Sequence, residues 1–180
     1  MPLHSVSDVI YTIGHSDHPP EVLVKLLAEA GIEILVDVRS HPSSRWVTHA
    51  NPRDLKRVLN TAGIEYVFLG DALGGRPDLP DQVGTPIRAK YESIQRSQAF
   101  QKGLDRLFEA LRKSKVCIMC AEEDPSSCHR NLLVGDALRL RGVQVLHIRG
   151  TGLIQTDKDL RKEKAGVPPN QLELPLGDGL

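Results

Sequence analysis

Short apolar segments of strand character alternate with amphipathic helical segments along most of this 180-residue chain, and that alternation constrains the fold more than any other feature. Residues 9–13, 34–38, 65–69, 116–119 and 143–147 are brief runs rich in aliphatic and β-branched side chains, as buried strands require. Between them, residues 20–30, 52–62, 87–96, 98–112 and 131–141 repeat apolar positions at helical spacing. Val22, Leu23, Leu26 and Leu27 line one such face; Leu132, Leu133, Ala137, Leu138 and Leu140 line another. Pro52 stands where a first helical turn needs no N–H. Strands alternating with helices predict an α/β fold: a single domain with a mostly parallel five-stranded sheet and helices on both faces.

With 40% apolar residues the chain has material for one core, expected over residues 1–152, with residues 153–180 as a charged linker and tail. No apolar run approaches the roughly 20 residues of a membrane span, and Met1-Pro-Leu-His-Ser5 lacks a signal-peptide pattern, so a cytoplasmic protein without membrane contact is expected. Three cysteines are an odd number for a disulfide framework and leave core, metal-binding or reactive roles. Lys+Arg and Asp+Glu balance at 23 each, so any polyanion contact must be local.

Ligands of open parallel sheets sit outside the carboxyl ends of the strands. The polar clusters of this sequence fall there: Gly14-His15-Ser16, then Asp37 and Arg39, then Gly70 to Arg76, then Cys120 to Arg130, then His147 to Arg149. The densest is Cys117-Ile-Met-Cys120-Ala-Glu122-Glu-Asp-Pro-Ser-Ser-Cys128-His129-Arg130, a turn between strand and helix. Ser126 or Ser127 can cap that helix, and its first-turn N–H groups would favour an anion or a thiolate beside Cys128. The excursion from Gly70 to Pro86 is long enough for a lid or substrate loop.

Together Thr12-Ile-Gly-His-Ser16, Asp37-Val-Arg39, Pro42, Ser44-Arg45, Asn51, Gly63-Ile-Glu-Tyr66, Leu73-Gly-Gly-Arg76, Tyr91, Phe100 and Cys120-Ala-Glu122-x-Asp124-Pro125-x-x-Cys128-His129-Arg130 resemble the family catalogued as domain of unknown function 488. The resemblance covers about residues 8–150. It supports the fold and the location of the site and implies no reaction.

Several chemistries compete for this rim. A thiol nucleophile would be Cys120 or Cys128, with His129 or Glu122 as base. Cysteine-dependent phosphatases separate cysteine from arginine by five residues; here nine lie between Cys120 and Arg130 and include three acids, which would repel a phosphate. Cys117 and Cys120 have C-x-x-C spacing, but on an extended strand they point to opposite faces, leaving Cys117 in the core. Zinc held by Cys120, Cys128 and a histidine is an alternative, while the leading expectation needs no cofactor. That expectation is a hydrolase or transferase acting on a nucleotide or nucleic-acid fragment in an anion-binding pocket. His15, Asp37, Cys120, Glu122 and His129 would be catalytic; Ser16, Arg39, Arg45, Trp46, Gly74, Gly75, Arg76, Cys128 and Arg130 would bind the substrate or its anion. An ion-paired network that merely ties loops together is the bland alternative.

Residues 39–57 hold five Lys/Arg against Asp54 alone, together with Trp46, a surface suited to single-stranded or flipped-out nucleotides. After a Pro168-Pro169 tether, Gln171-Leu-Glu-Leu174-Pro-Leu176 resembles the peptide by which bacterial proteins dock into the replication sliding clamp, with Gln171, Leu172, Leu174 and Leu176 as contacts. A non-catalytic DNA-maintenance adaptor, and a metal-binding or thiol redox protein, are therefore carried as alternatives to the enzyme.

Overall fold

Five of the apolar runs pair as strands because their side chains need cover on both faces, which only a parallel sheet between helical layers supplies. The computed structural model describes residues 9–76 and 85–166. In chain order the elements are β1 (Val9–Gly14), α1 (Pro20–Glu29), β2 (Ile34–Asp37), α2 (Pro52–Thr61), β3 (Glu65–Phe68), α3 (Gly70–Leu73), α4 (Ile87–Arg96), α5 (Gln98–Leu111) and β4 (Val116–Cys120). A π-helical segment, Arg130–Gly135, then runs directly into α6 (Asp136–Arg139), followed by β5 (Gln144–Ile148), β6 (Ile154–Thr156) and α7 (Asp157–Lys164). Among the described residues no helix is long and apolar enough to cross a membrane.

The sheet order is β3-β2-β4-β1-β5-β6. All pairs are parallel except β5 with β6. The sequence leads one to expect five strands; the described residues form six, and β6 and α7 lie beyond residue 152, within the stretch read as linker. The three residues of β6 are too few for periodicity to reveal. Tertiary pairing sets them, through Leu146↔Thr156, His147↔Gln155 and Ile148↔Ile154. α7 is anchored by a capping box between Thr156 and Asp159 and by buried Leu160. The docking peptide at 171–176 lies outside the described residues.

The pleat divides the core into two layers. Val36, Val116 and Ile118 face α3, α5 and the π-helical segment, packing on Leu73, Phe100, Leu104, Leu107 and Leu133. Leu35, Cys117 and Met119 face α1 and α2, packing on Leu23, Leu27, Leu55 and Leu59. Cys117 is thus a fully buried core residue on the face opposite Cys120, as the pleat argument expects, and burial pushes its thiol pKa far up. Gly31 (φ 68°) and Gly63 (φ 71°) end α1 and α2 in the left-handed region, where a side chain would be strained.

The topology itself fixes the site. The chain leaves β2 toward the β3 edge and leaves β4 toward the β5 edge, so the connections diverge and a crevice opens above the carboxyl ends of these neighbouring strands.

Candidate metal centre

The loops leaving β1, β2 and β4 are bound to one another by continuing the sheet ladder. His15 N donates to Cys120 O at 2.9 Å, Ser16 N to Ala121 O at 2.8 Å, and Val38 N to Met119 O at 3.1 Å. Gly14 permits this approach, since a Cβ there would lie 1.8 Å from the Glu122 carbonyl oxygen. His15 and the Cys128-His129-Arg130 triplet therefore share one rim.

Arg130 is wholly buried and holds the β4 loop in shape. Its Nη1 donates to the Glu122 carbonyl, Nη2 to the Glu123 carbonyl at 2.7 Å, and Nε to Thr12 Oγ1 at 3.3 Å. Thr12 Oγ1 in turn lies 2.8 Å from His147 Nδ1. Buried on two carbonyls and a hydroxyl of the fold, the guanidinium acts as a strut of the β4 loop, whereas the sequence reading expects it to grip an anion. Glu123 is committed too: Arg149 Nε and Nη2 each donate to it at 2.9 Å, and that pairing holds its carboxyl down to about 2.

Asp37 and Arg39 form a buried ion-paired unit, 0% and 5% exposed. Asp37 accepts from Arg39 N at 3.1 Å, Nε at 2.9 Å and Nη2 at 2.6 Å, and from Tyr66 Oη at 2.8 Å. Arg39 also donates to Ala50 O at 2.8 Å and through Nη1 to His15 Nε2 at 3.0 Å. Because His15 Nδ1 sits 2.7 Å from the Ser16 carbonyl, it carries the ring proton and Nε2 accepts. Burial, then the facing guanidinium, lower the His15 pKa to about 4. Both ring nitrogens are thereby committed to the scaffold, and Arg39 has one of five N–H groups left over among the described residues. Tyr66, which the sequence flags only as part of a family pattern, completes this unit; burial and then Asp37 raise its pKa.

What remains available for chemistry is the cluster of Cys120, Glu122, Cys128 and His129, whose ligand atoms all lie within 4.8 Å of one another. Both thiols donate to one carboxylate oxygen, Glu122 Oε2: Cys120 at 2.8 Å and Cys128 at 3.2 Å. His129 Nδ1 lies 3.4 Å from Cys120 Sγ, while Nε2 donates to Val38 O at 2.8 Å. That outer hydrogen bond fixes the ring and turns the Nδ1 lone pair toward the thiols, the orientation that metal-bound histidines take from their surroundings. Burial opposes the Glu122 charge, yet the two thiol hydrogen bonds hold its pKa at about 2. The Cys128 thiol is pushed up, by Cys120 beside it and then by burial, where a helix N-terminus was expected to lower it. Neither Ser126 nor Ser127 caps the following helix; Asp124 instead accepts from Ser126 N and Oγ at 2.8 Å each, and the helix opens as a π-turn with no side-chain cap. Two sulfurs, one imidazole nitrogen and one carboxylate oxygen form a donor set suited to zinc, so these four residues could hold a metal ion.

A cleft of about 270 Å³ opens over the cluster, walled by Arg39, Ser40, His41, Arg76, Glu122 and His129 among others. Gly74 and Gly75 are there for close packing. A Cβ on Gly75 would lie 2.7 Å from His129 Cβ, and one on Gly74 would lie 2.2 Å from Ser40 Oγ. Their passage over His129 delivers Arg76 to the cleft, where its N donates to Ser40 Oγ at 3.0 Å and its exposed side chain makes no ion pair among the described residues. Ser40 and His41 line the same wall; the sequence reading places His41 only within the basic loop of residues 39–57 and does not single out Ser40, whose one signal is adjacency to Arg39. Ser16 adopts φ 47° and donates to Asp17, outside the cluster. Arg45 is exposed and Trp46 is 90% exposed, on a loop braced by Asn51, which accepts from Ser44 N at 2.6 Å. A larger cavity, about 620 Å³, lies elsewhere, beside β6, around the Arg149, Glu123 and Glu163 pairs.

Comparison with curated proteins found no match. Comparison with solved structures likewise found none. One family model matches residues 19–136, from α1 through the π-helical segment to the first residue of α6, and so spans the β4 loop that carries the cluster and the β2 and β3 loops that wall the cleft over it. The chain belongs to that family, described as Domain of unknown function DUF488.

Proposed function

We propose that this protein is a zinc-dependent hydrolase or transferase acting on a nucleotide or nucleic-acid substrate at the rim cleft. The observation that carries the reading is the convergence of Cys120, Glu122, Cys128 and His129 within 4.8 Å, with His129 already oriented by Val38 O. Zinc bound there would supply a Lewis acid to polarise a phosphoryl or carbonyl oxygen. Cys120 and Cys128 are buried and rigidly placed, so with His129 they form the fixed part of the site. Glu122 is the exposed member and lines the cleft, so it is the group that substrate can displace or that can accept a proton from it. Among the described residues that wall the cleft, Arg76 is the cation with no ion pair and so the one available to an anion, since Arg39 pairs with Asp37 and Arg130 donates to backbone carbonyls. A buried Cys128 with a raised pKa argues against thiol nucleophilic chemistry.

The test is to load the full chain with zinc, dialyse it, and measure bound metal beside free thiols. The reading expects one zinc per chain, lost in Cys120→Ser and Cys128→Ser, and turnover of nucleotides or single-stranded oligonucleotides that chelation abolishes. A chain that retains no zinc, with both thiols freely titratable, would overturn it.

A second reading, a nucleic-acid-binding adaptor, is favoured by a separate observation: Trp46 is exposed on the basic loop. Metal-independent quenching of Trp46 fluorescence by single-stranded oligonucleotides would support it. Within it, residues 171–176 would dock the chain on a sliding clamp, and deleting them should abolish clamp binding while leaving oligonucleotide binding intact.

A further inference from the structure

Resting on the cleft reading above, we infer that the site takes a guanine nucleoside monophosphate, with the phosphate at Arg76 and His41 and the base in an adjoining hollow against Phe68 and Asp71. A hollow of about 440 Å³ shares Ser40, His41 and Arg76 with the cleft over the cluster, so the two meet at those three residues. Its far side differs in character. Phe68, at the end of β3, leaves 36% of its surface exposed there, with Ala72 and Ala99 nearby. Asp71 also lines the hollow, is exposed, and makes no hydrogen bond or ion pair among the described residues.

A cationic waist between a metal-type cluster and a half-apolar hollow fits a ligand with an anionic end and a flat, partly apolar end. A phosphate pairs with Arg76. A base stacks on the Phe68 ring, an interaction that tolerates any base. Discrimination then falls to Asp71. Its two carboxylate oxygens can only accept, and guanine alone among the common bases presents two adjacent donors on one edge, N1–H and N2–H. Adenine and cytosine offer one amino group, and uracil one imide N–H. Two hollows of a few hundred Å³ each suit one nucleotide and exclude a duplex.

The experiment is calorimetric titration of the metal-free full chain with GMP, AMP, CMP, UMP and guanosine, repeated on zinc-loaded protein. GMP should bind at least about tenfold more tightly than AMP, a difference of one well-placed hydrogen bond. Asp71→Asn should remove that preference, bringing GMP affinity down to the level of AMP. Arg76→Ala should bring GMP down to guanosine, and Phe68→Ala should weaken every nucleotide. Asp71, Arg76 and Phe68 reach the surface, so the variants should fold, which circular dichroism checks. Equal affinity for the four nucleotides, equal losses for all of them in Asp71→Asn, or no binding at millimolar concentration would overturn the inference. Zinc retention on the same samples separates the two claims: zinc held without guanine preference defeats this inference alone, and guanine preference without zinc defeats only the metal reading.

Discussion

Replacing Asp37 by alanine while leaving Arg39 in place should cost about 3–5 kcal/mol of stability, because it strands a buried guanidinium. The figure follows from the contacts. Asp37 accepts four hydrogen bonds, three from Arg39 and one from Tyr66, and is 0% exposed. Removing it leaves two guanidinium donors, a backbone N–H and a phenol without an acceptor, each at a cost of about 1–3 kcal/mol unless water enters. Arg39→Met alone strands the carboxylate in the same way. The double variant Asp37→Ala/Arg39→Met removes both charges and should lose less than about 2 kcal/mol, since apolar replacement of a buried pair is often close to neutral. The two single losses should therefore exceed the double loss by several kcal/mol, a coupling that urea unfolding at pH 7.5 resolves. Single variants within about 1 kcal/mol of wild type, with additive effects, would refute the assignment of this pair to the scaffold and return Asp37 to the catalytic candidates.

Three further outcomes follow from the structure. His15, held at about 4, and His147, lowered by burial, are neutral in the fold, whereas in the unfolded chain each takes a proton at about 6.5. The unfolded state thus binds more protons below pH 6.5, so stability is full above that pH and falls as pH drops toward 4, by roughly 3 kcal/mol for His15 alone; an unfolding midpoint flat from pH 7 to 4.5 would contradict this. Gly75→Ala drives a methyl into His129 Cβ at 2.7 Å and should cost about 1–3 kcal/mol together with zinc affinity, whereas Gly142→Ala, with nothing within 4 Å of its added Cβ, should cost stability through its positive φ but leave zinc binding alone; equal zinc loss in both variants would count against the packing role of Gly75. Trp46→Ala should change stability by less than about 0.5 kcal/mol because the ring is 90% exposed, and should weaken single-stranded oligonucleotide binding by about 1–3 kcal/mol if the loop stacks a base; unchanged binding removes that role.

The five parallel strands were legible because each apolar run is bounded by polar residues and the first four are each followed by a helical repeat, patterns that burial on both faces demands. β6 was not, since three residues carry no period and its existence depends on pairing with Leu146, His147 and Ile148. The rim was legible as a set of loops: the sequence placed His15, Asp37, Arg39 and Cys120 to Arg130 at strand ends, and the fold brings them together. The division of labour among them was hidden. Charge type is visible in a sequence, but the partner is not, so Arg39 and Arg130 read as anion grips until Asp37, Ala50 O and the Glu122 and Glu123 carbonyls are seen to occupy them. Likewise, the hydrogen bond from His129 to Val38 O spans 91 positions and leaves no local trace, although it is what aims the imidazole at the thiols. Gly74 and Gly75 read as substrate-binding positions in a long Gly/Pro-rich loop, whereas their lack of a side chain serves contact with Ser40 and His129.

In the proposed centre, Cys120, Glu122, Cys128 and His129 hold one metal ion through two sulfurs, a nitrogen and an oxygen. Titrating the full chain with cobalt(II) reads that donor set directly. Saturation is expected at one equivalent, with intense visible bands of a tetrahedral ion and near-ultraviolet thiolate-to-cobalt charge transfer that halves in Cys128→Ser and vanishes in Cys120→Ser/Cys128→Ser. A weak spectrum like that of aqueous cobalt, unchanged by either substitution, would contradict it.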